Sequence, residues 1–82
     1  MYIVSMSPTI DKIGNAKLMI YTDDHGRPHV HVVAPDAEAK IEIHSLIVIR
    51  SHGFNQKTLN RFKKYIAENR EELLEAWNEI HE

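Results

Sequence analysis

The chain has 82 residues, of which 43% are hydrophobic and 27% charged, and these proportions exclude a disordered chain and predict one small domain spanning residues 1–82. It has no cysteine, so disulfides are excluded and any metal site must use His, Asp or Glu. The net charge of −2 argues against a generic nucleic-acid-binding protein, and no apolar run approaches the roughly 18 residues of a membrane span.

The first residues predict an extension followed by a hairpin. They lack the basic and then apolar segments of a secretory signal, and together with the absence of cysteine this favours a cytoplasmic protein. Residues 1–7 are expected to form either a fraying strand or a flexible extension. The turn residues Gly14 and Asn15 then separate two short runs, and we predict that the second run forms a strand with Leu18 and Ile20 on one face.

The next predicted strand, residues 29–34, alternates strictly between two kinds of side chain. Val30 and Val32 lie on the face that should be buried. His29 and His31 therefore share the opposite face, which we expect to point away from the helices and to be solvated or to line a site.

A further strand over residues 38–45 alternates in the same way, and the apolar run of residues 46–49 follows it. This run is expected to be either a strand covered on both faces or the bent end of the preceding strand. The alternation places three residues inward (Ala39, Ile41 and Ile43) and three outward (Lys40, Glu42 and His44).

The apolar period then changes to that of helices. Asn55 suits an N-cap, and Phe54 before it can pack on Leu59. Asn69, followed three residues later by Glu72, predicts a second cap and thus a break between two helices. Because the connections between strands are too short for parallel crossovers, we predict an α+β fold in which a small antiparallel sheet of three to five strands is followed by two C-terminal helices packed on one face.

The two helices differ sharply in charge. Residues 68–82 carry six Glu and one Arg. The faces of the two helices could simply be solvated, or the basic block could bind phosphate, nucleic acid or an acidic partner. That block, residues 55–67, has no acid and four basic residues: Lys57, Arg61, Lys63 and Lys64.

Side chains that could bind a ligand or catalyse a reaction are concentrated in residues 23–31, which include three of the six histidines. The candidate ligand-binding residues are Asp24, His25, Arg27, His29 and His31. His25, His29 and His31 could bind zinc or another divalent metal, because three histidines with an open position are typical of catalytic zinc. Three alternatives remain: hydrogen bonds that hold the turn, binding of phosphate or nucleic acid with Arg27 as a donor, and acid–base catalysis without a metal, for which no companion nucleophile is evident.

Four segments resemble the small bacterial family called domain of unknown function 4160. They are Pro8-Thr9-Ile10, Met19-Ile20-Tyr21, Asp24-His25-x-x-Pro28-His29-Val30-His31 and Glu72-Leu73-Leu74-x-x-Trp77. The resemblance covers residues 7–79. This chain has Arg27 where the family usually has a second proline, and Tyr65 or a neighbour where its first helix often has a tryptophan. If the third segment, the histidine box, is the family's functional site, it maps onto Asp24, His25, His29 and His31.

The resemblance implies a short cytosolic protein, often encoded beside another small protein in arrangements that resemble toxin–antitoxin pairs. The hypothesis that follows is a non-enzymatic binding or regulatory module that acts with a small protein partner and uses the histidine box as a ligand or metal site. The alternative is a metal- or His-dependent hydrolase, most plausibly a toxin-type nuclease. In a third hypothesis the box is purely structural and function lies elsewhere, such as on the basic helix.

Overall fold

In the described part of the chain five strands are followed by two helices, as expected for the predicted α+β class. A computed structural model describes residues 9–21 and 26–81, so the predicted extension at residues 1–7 lies outside the described residues. The elements are β1 (Thr9–Ile13), β2 (Ala16–Met19), β3 (His29–Ala34), β4 (Ala37–Glu42), β5 (Val48–His52), α1 (Gln56–Glu68) and α2 (Arg70–His81).

The sheet is an antiparallel meander in which each strand pairs with its neighbours in the sequence, in the order β1-β2-β3-β4-β5. The predicted hairpin is confirmed: Gly14 has φ +63°, a conformation that glycine adopts without steric cost. The turn pairs Ile13 with Ala16. The predicted sheet and its two following helices are therefore correct.

One face of the sheet and both helices form a single hydrophobic core. The predicted inward residues of the alternating strands are all buried, which confirms their orientation. The opposite face of the sheet is called the outer face below. The buried apolar residues of the sheet are Ala16, Leu18, Ile20, Val30, Val32, Ala39, Ile41 and Ile43, and those of the helices are Leu59, Phe62, Ile66, Leu73 and Trp77.

The start of α1 follows the prediction. The Asn55 side chain accepts a hydrogen bond from the Thr58 amide at 2.8 Å, which satisfies a donor at the helix start. The Phe54 ring packs against the Phe62 ring at 4.9 Å between centroids; its predicted contact with Leu59 stays a prediction.

Asn69 separates the two helices, as predicted, but by a different interaction. Its side-chain amide donates to the Tyr65 carbonyl at 2.9 Å, and its backbone amide donates to the carbonyls of Tyr65 and Ile66. The predicted capping box with Glu72 is therefore wrong. The Asn69 side chain caps the C-terminus of α1 and not the N-terminus of α2. α2 begins at Arg70.

The apolar run of residues 46–49 is neither a strand covered on both faces nor the bent end of β4, so both expectations are wrong. Leu46 adopts φ +66° in the turn after β4, and the run then enters β5, which is an outermost strand. The pairing of β4 with β5 also shifts between Lys40 and Ile41. Turn and shift together leave Ile47 60% and Ile49 51% exposed.

Neither helix could cross a bilayer, because within residues 9–21 and 26–81 none is both long and apolar enough.

Candidate functional site

His29 begins β3, where it lies opposite Glu42 of β4. Its side chain is only 3% exposed. Its Nδ1 atom lies 2.9 Å from the carbonyl oxygen of Arg27. Since a carbonyl can only accept, Nδ1 carries a proton and donates it to this oxygen.

His29 is also the centre of a row of five rings, called the aromatic row. The prediction that His29 and His31 lie side by side is confirmed, because their ring centroids are 5.2 Å apart. On one side Tyr21 meets the His31 ring edge-on at 4.3 Å. On the other side the His29 ring lies 5.1 Å from Trp77, which stacks on His81 at 3.9 Å.

The expectation that this face points away from the helices is wrong for His29, because α2 crosses the end of the sheet where β4 ends and β3 begins. Arg70 at the start of α2 donates to the carbonyls of Ile43 and His44, at 3.2 and 3.3 Å. Trp77 then reaches His29. Strand alternation gives the side on which a residue points, but not which element closes the end of the sheet.

Glu42 was expected to point to solvent, yet it is only 7% exposed. The Arg27 guanidinium lies 3.6 Å from its Oε2 atom. A hydrogen bond from the Ser45 side chain, and secondarily the Arg27 charge, lower the pKa of the Glu42 carboxyl, against the opposing effect of burial. Its Oε1 atom has no hydrogen-bond partner among the described residues. Glu42 is therefore an ionised carboxylate at neutral pH, held beneath Arg27.

The proposed metal set is described only in part. Asp24 and His25 lie outside the described residues, whereas His29 and His31 lie within them. Over residues 9–21 and 26–81 no three His, Asp or Glu side chains are grouped so that they could hold a metal ion. A metal bound by His29 would have to take its Nε2 atom, because Nδ1 is committed to Arg27. The set of His25, His29 and His31 stays a prediction.

The basic residues of α1 do not all share one surface. Lys57, Arg61 and Lys64 lie at helical spacings of four and three on the exposed side. Lys63 is half-buried beside the core stripe. Tyr65 connects this helix to the sheet, because its hydroxyl donates to the Asp11 carboxylate of β1.

A second basic surface, which sequence reasoning missed, lies on the outer face of the sheet. Lys12 of β1 is directly opposite Lys17 of β2. His31, Lys40 and Arg50 are cross-strand neighbours on β3, β4 and β5. The Gly14-Asn15 turn could have indicated the first pair, because a two-residue turn fixes the register. The second row depends on the shift between β4 and β5, for which the sequence has no evident signal.

A cleft of about 340 Å³ lies at the other end of the sheet from the aromatic row. It is bounded by the β1–β2 turn, the β3–β4 turn and the first half of α1, and Asp36 and Arg61 are its charged lining residues. It is thus separate from the histidine box.

The comparisons with known proteins identify a family. The family model described as Domain of unknown function (DUF4160) matches residues 16–78, from β2 to the last turn of α2. No curated protein and no solved structure matches the chain.

Proposed function

Because this chain belongs to the family described as a domain of unknown function (DUF4160), a family that carries no assigned activity, we propose from its geometry that it is a non-enzymatic protein-binding module. In this proposal the outer edge of β5 accepts an extended segment of a small partner protein as a further strand. Members of the family that this chain resembles are often encoded beside another small protein, in arrangements that resemble toxin–antitoxin pairs. This expectation supports a partner of this kind and a regulatory role.

The observation that carries the proposal is the combination of a sheet edge with exposed isoleucines. β5 is outermost in the sheet, so one side of its backbone offers donors and acceptors that a further strand can use. Ile47, just before β5, and Ile49, within it, are the large hydrophobic side chains most exposed in the described part of the chain. By contrast, the other outermost strand, β1, presents the exposed charges of Asp11 and Lys12, which discourage strand addition.

The charge on β5 favours a different protein over a second copy. Arg50 is the middle residue of β5. If two copies paired these strands antiparallel over their full length about a two-fold axis, the two Arg50 side chains would lie opposite each other, which is destabilising. A partner strand with an acidic residue opposite Arg50 and apolar neighbours fits this edge.

The position of His29 supports a binding module over an enzyme. A general base must reach a substrate proton within hydrogen-bond distance, whereas His29 is almost fully buried between His31 and Trp77. These contacts favour packing as the role of His29. For the rest of the histidine box, a ligand or metal site contributed by Asp24, His25, Arg27 and His31 remains part of the proposal.

Amide hydrogen exchange tests this proposal with a synthetic peptide of about six residues in which valine alternates with glutamate. We expect slower exchange in β5 when the peptide is added, and no change in β1. The matched control peptide has lysine in place of glutamate and should bind more weakly. Ile49→Lys should abolish the effect without unfolding the chain, because this side chain is half exposed.

Three results would contradict the proposal: protection of β1 instead of β5, equal binding of both peptides, or a stable dimer of the free chain in light scattering. Separately, cleavage of RNA or DNA that Zn²⁺, Mn²⁺ or Mg²⁺ supports, and that is lost in His31→Ala while the fold survives, would establish the hydrolase instead.

A further inference from the structure

We propose that the outer face of the sheet binds single-stranded nucleic acid. This site shares Arg50 with the β5 edge, but it lies on the face of the sheet and does not depend on a protein partner. It is distinct from the exposed side of α1, which carries Lys57, Arg61 and Lys64.

The first argument is the placement of positive charge. Lys12 opposite Lys17, and Lys40 opposite Arg50, are two like-charge pairs directly across neighbouring strands. Such pairs destabilise a sheet, yet they occur in a chain whose net charge is −2. A bound polyanion would turn both repulsions into favourable contacts with phosphate.

The second argument is the surface between these pairs. Tyr21 and His31 are half-buried and meet edge-on at 4.3 Å, and Met19 lies directly opposite His31. Aromatic side chains on a sheet, flanked by cations, are the usual platform on which unpaired bases stack. The exposed side of α1 offers cations at Lys57, Arg61 and Lys64 without such a platform.

The third argument is the position of the acids. On the outer face of the strands, Glu42 is paired with Arg27 and almost buried, which leaves Glu38, opposite His52, as the exposed carboxylate. Of the ten remaining acids, five belong to α2 and the residue after it. Among the described residues, the strands therefore present a net positive charge on the outer face, while the molecule as a whole is negative.

The dimensions of the sheet agree with a short stretch of single strand. Five strands spaced about 4.8 Å apart span about 19 Å from β1 to β5. This width suits a site of about four nucleotides, the lower end of the range for small single-strand-binding domains.

Fluorescence anisotropy with labelled RNA and DNA oligonucleotides of about 12 nucleotides tests the proposal. With about four phosphate contacts, the logarithm of the binding constant should fall with the logarithm of salt concentration with a slope of about −3. The double variant Lys17→Glu, Lys40→Glu should bind at least about tenfold more weakly, with a slope of about −1. Tyr21→Leu should weaken binding and leave the slope unchanged, because it removes stacking and no charge.

The matched control is the double variant Lys57→Glu, Lys64→Glu, which makes the same change of net charge on the exposed side of α1. It should weaken binding by less than about threefold. Weaker binding by the Lys17→Glu, Lys40→Glu variant should not result from unfolding. Lys17→Glu places a carboxylate opposite Lys12, and Lys40→Glu places one opposite Arg50. The melting temperature of that variant should therefore be equal to or higher than that of the wild type.

Equal weakening by both double variants would overturn the proposal, as would the absence of binding at low salt. Competition by duplex DNA as effective as that by a single strand would also overturn it, because stacking on Tyr21 and His31 requires unpaired bases.

Discussion

The ring of His29, the first residue of β3, packs against the ring of Trp77 in α2, 5.1 Å away between centroids and tilted by 54°. This contact ties the histidine box to the C-terminal helix. In the sequence His29 has the appearance of a metal ligand. In the structure it is part of the packing that closes the end of the sheet.

His29→Ala should therefore lower the free energy of unfolding by about 2–3 kcal/mol, because it removes a buried ring and its aromatic contacts. His31→Ala is the matched control; this ring is half-buried, and we expect a loss of about 1 kcal/mol or less. Urea unfolding followed by circular dichroism measures both. Equal losses, or a larger loss for His31→Ala, would contradict the packing role of His29.

The carboxylate of Glu42 should make stability depend on pH. Its pKa is lowered in the folded chain by the Ser45 hydrogen bond and by Arg27, so its contribution is fully present above the pKa of the unfolded chain and is lost as the pH falls through the folded pKa. Melting temperatures of wild type and Glu42→Gln, measured between about pH 7 and pH 2, should differ at neutral pH. The difference should shrink below about pH 4.5 and disappear at the acid end; a difference independent of pH would rule out this role.

Gly53→Ala should be strongly destabilising. Gly53 has φ +91°, a strained conformation for alanine. An added Cβ would also lie 2.6 Å from the Asp36 carbonyl oxygen, so the backbone there would have to move. We expect a loss of about 2–4 kcal/mol. Gly14→Ala is the control, since its φ is +63° with open space around the Cβ; about 1 kcal/mol is expected there. Equal losses in thermal unfolding would show that the close approach to Asp36 has no cost.

Asn55→Ala should cost about 1 kcal/mol, because it removes the side-chain oxygen that accepts from the Thr58 amide. Hydrogen exchange at Thr58 should become faster than in the wild type. Asn60→Ala is a matched change at an exposed site, where the side chain accepts from Gln56 alone among the described residues. It should change stability by less than about 0.5 kcal/mol, and an equal effect of the two variants would contradict the capping role.

Alternation was sufficient to predict which strand residues face the core. Val30 and Val32 are buried as expected, because a strand with one apolar face has one favourable orientation against the helices. The break at Asn69 was also predictable, because cap residues compete with the helix for local hydrogen bonds.

The exposure of Ile49 and the burial of Glu42 were not predictable from the pattern. Apolar periodicity assumes that apolar residues are covered, but at β5 a turn with Leu46 at positive φ and a shift in pairing override it. The buried Glu42 side chain interacts with Arg27 and Ser45, and these contacts are not encoded in strand alternation. The ligand and metal roles suggested for Asp24 and His25 fall outside the described residues and stay predictions.

The meander has a further consequence, for the rate at which the protein folds. Every strand pairs with the strand before or after it in the sequence, so each new pairing closes only a short loop. Rates of folding fall as the sequence separation between contacting residues grows. We therefore expect the sheet to form by successive zipping of adjacent hairpins, with refolding on the timescale of about milliseconds, and the docking of α2 by Trp77 on His29 to be a late event.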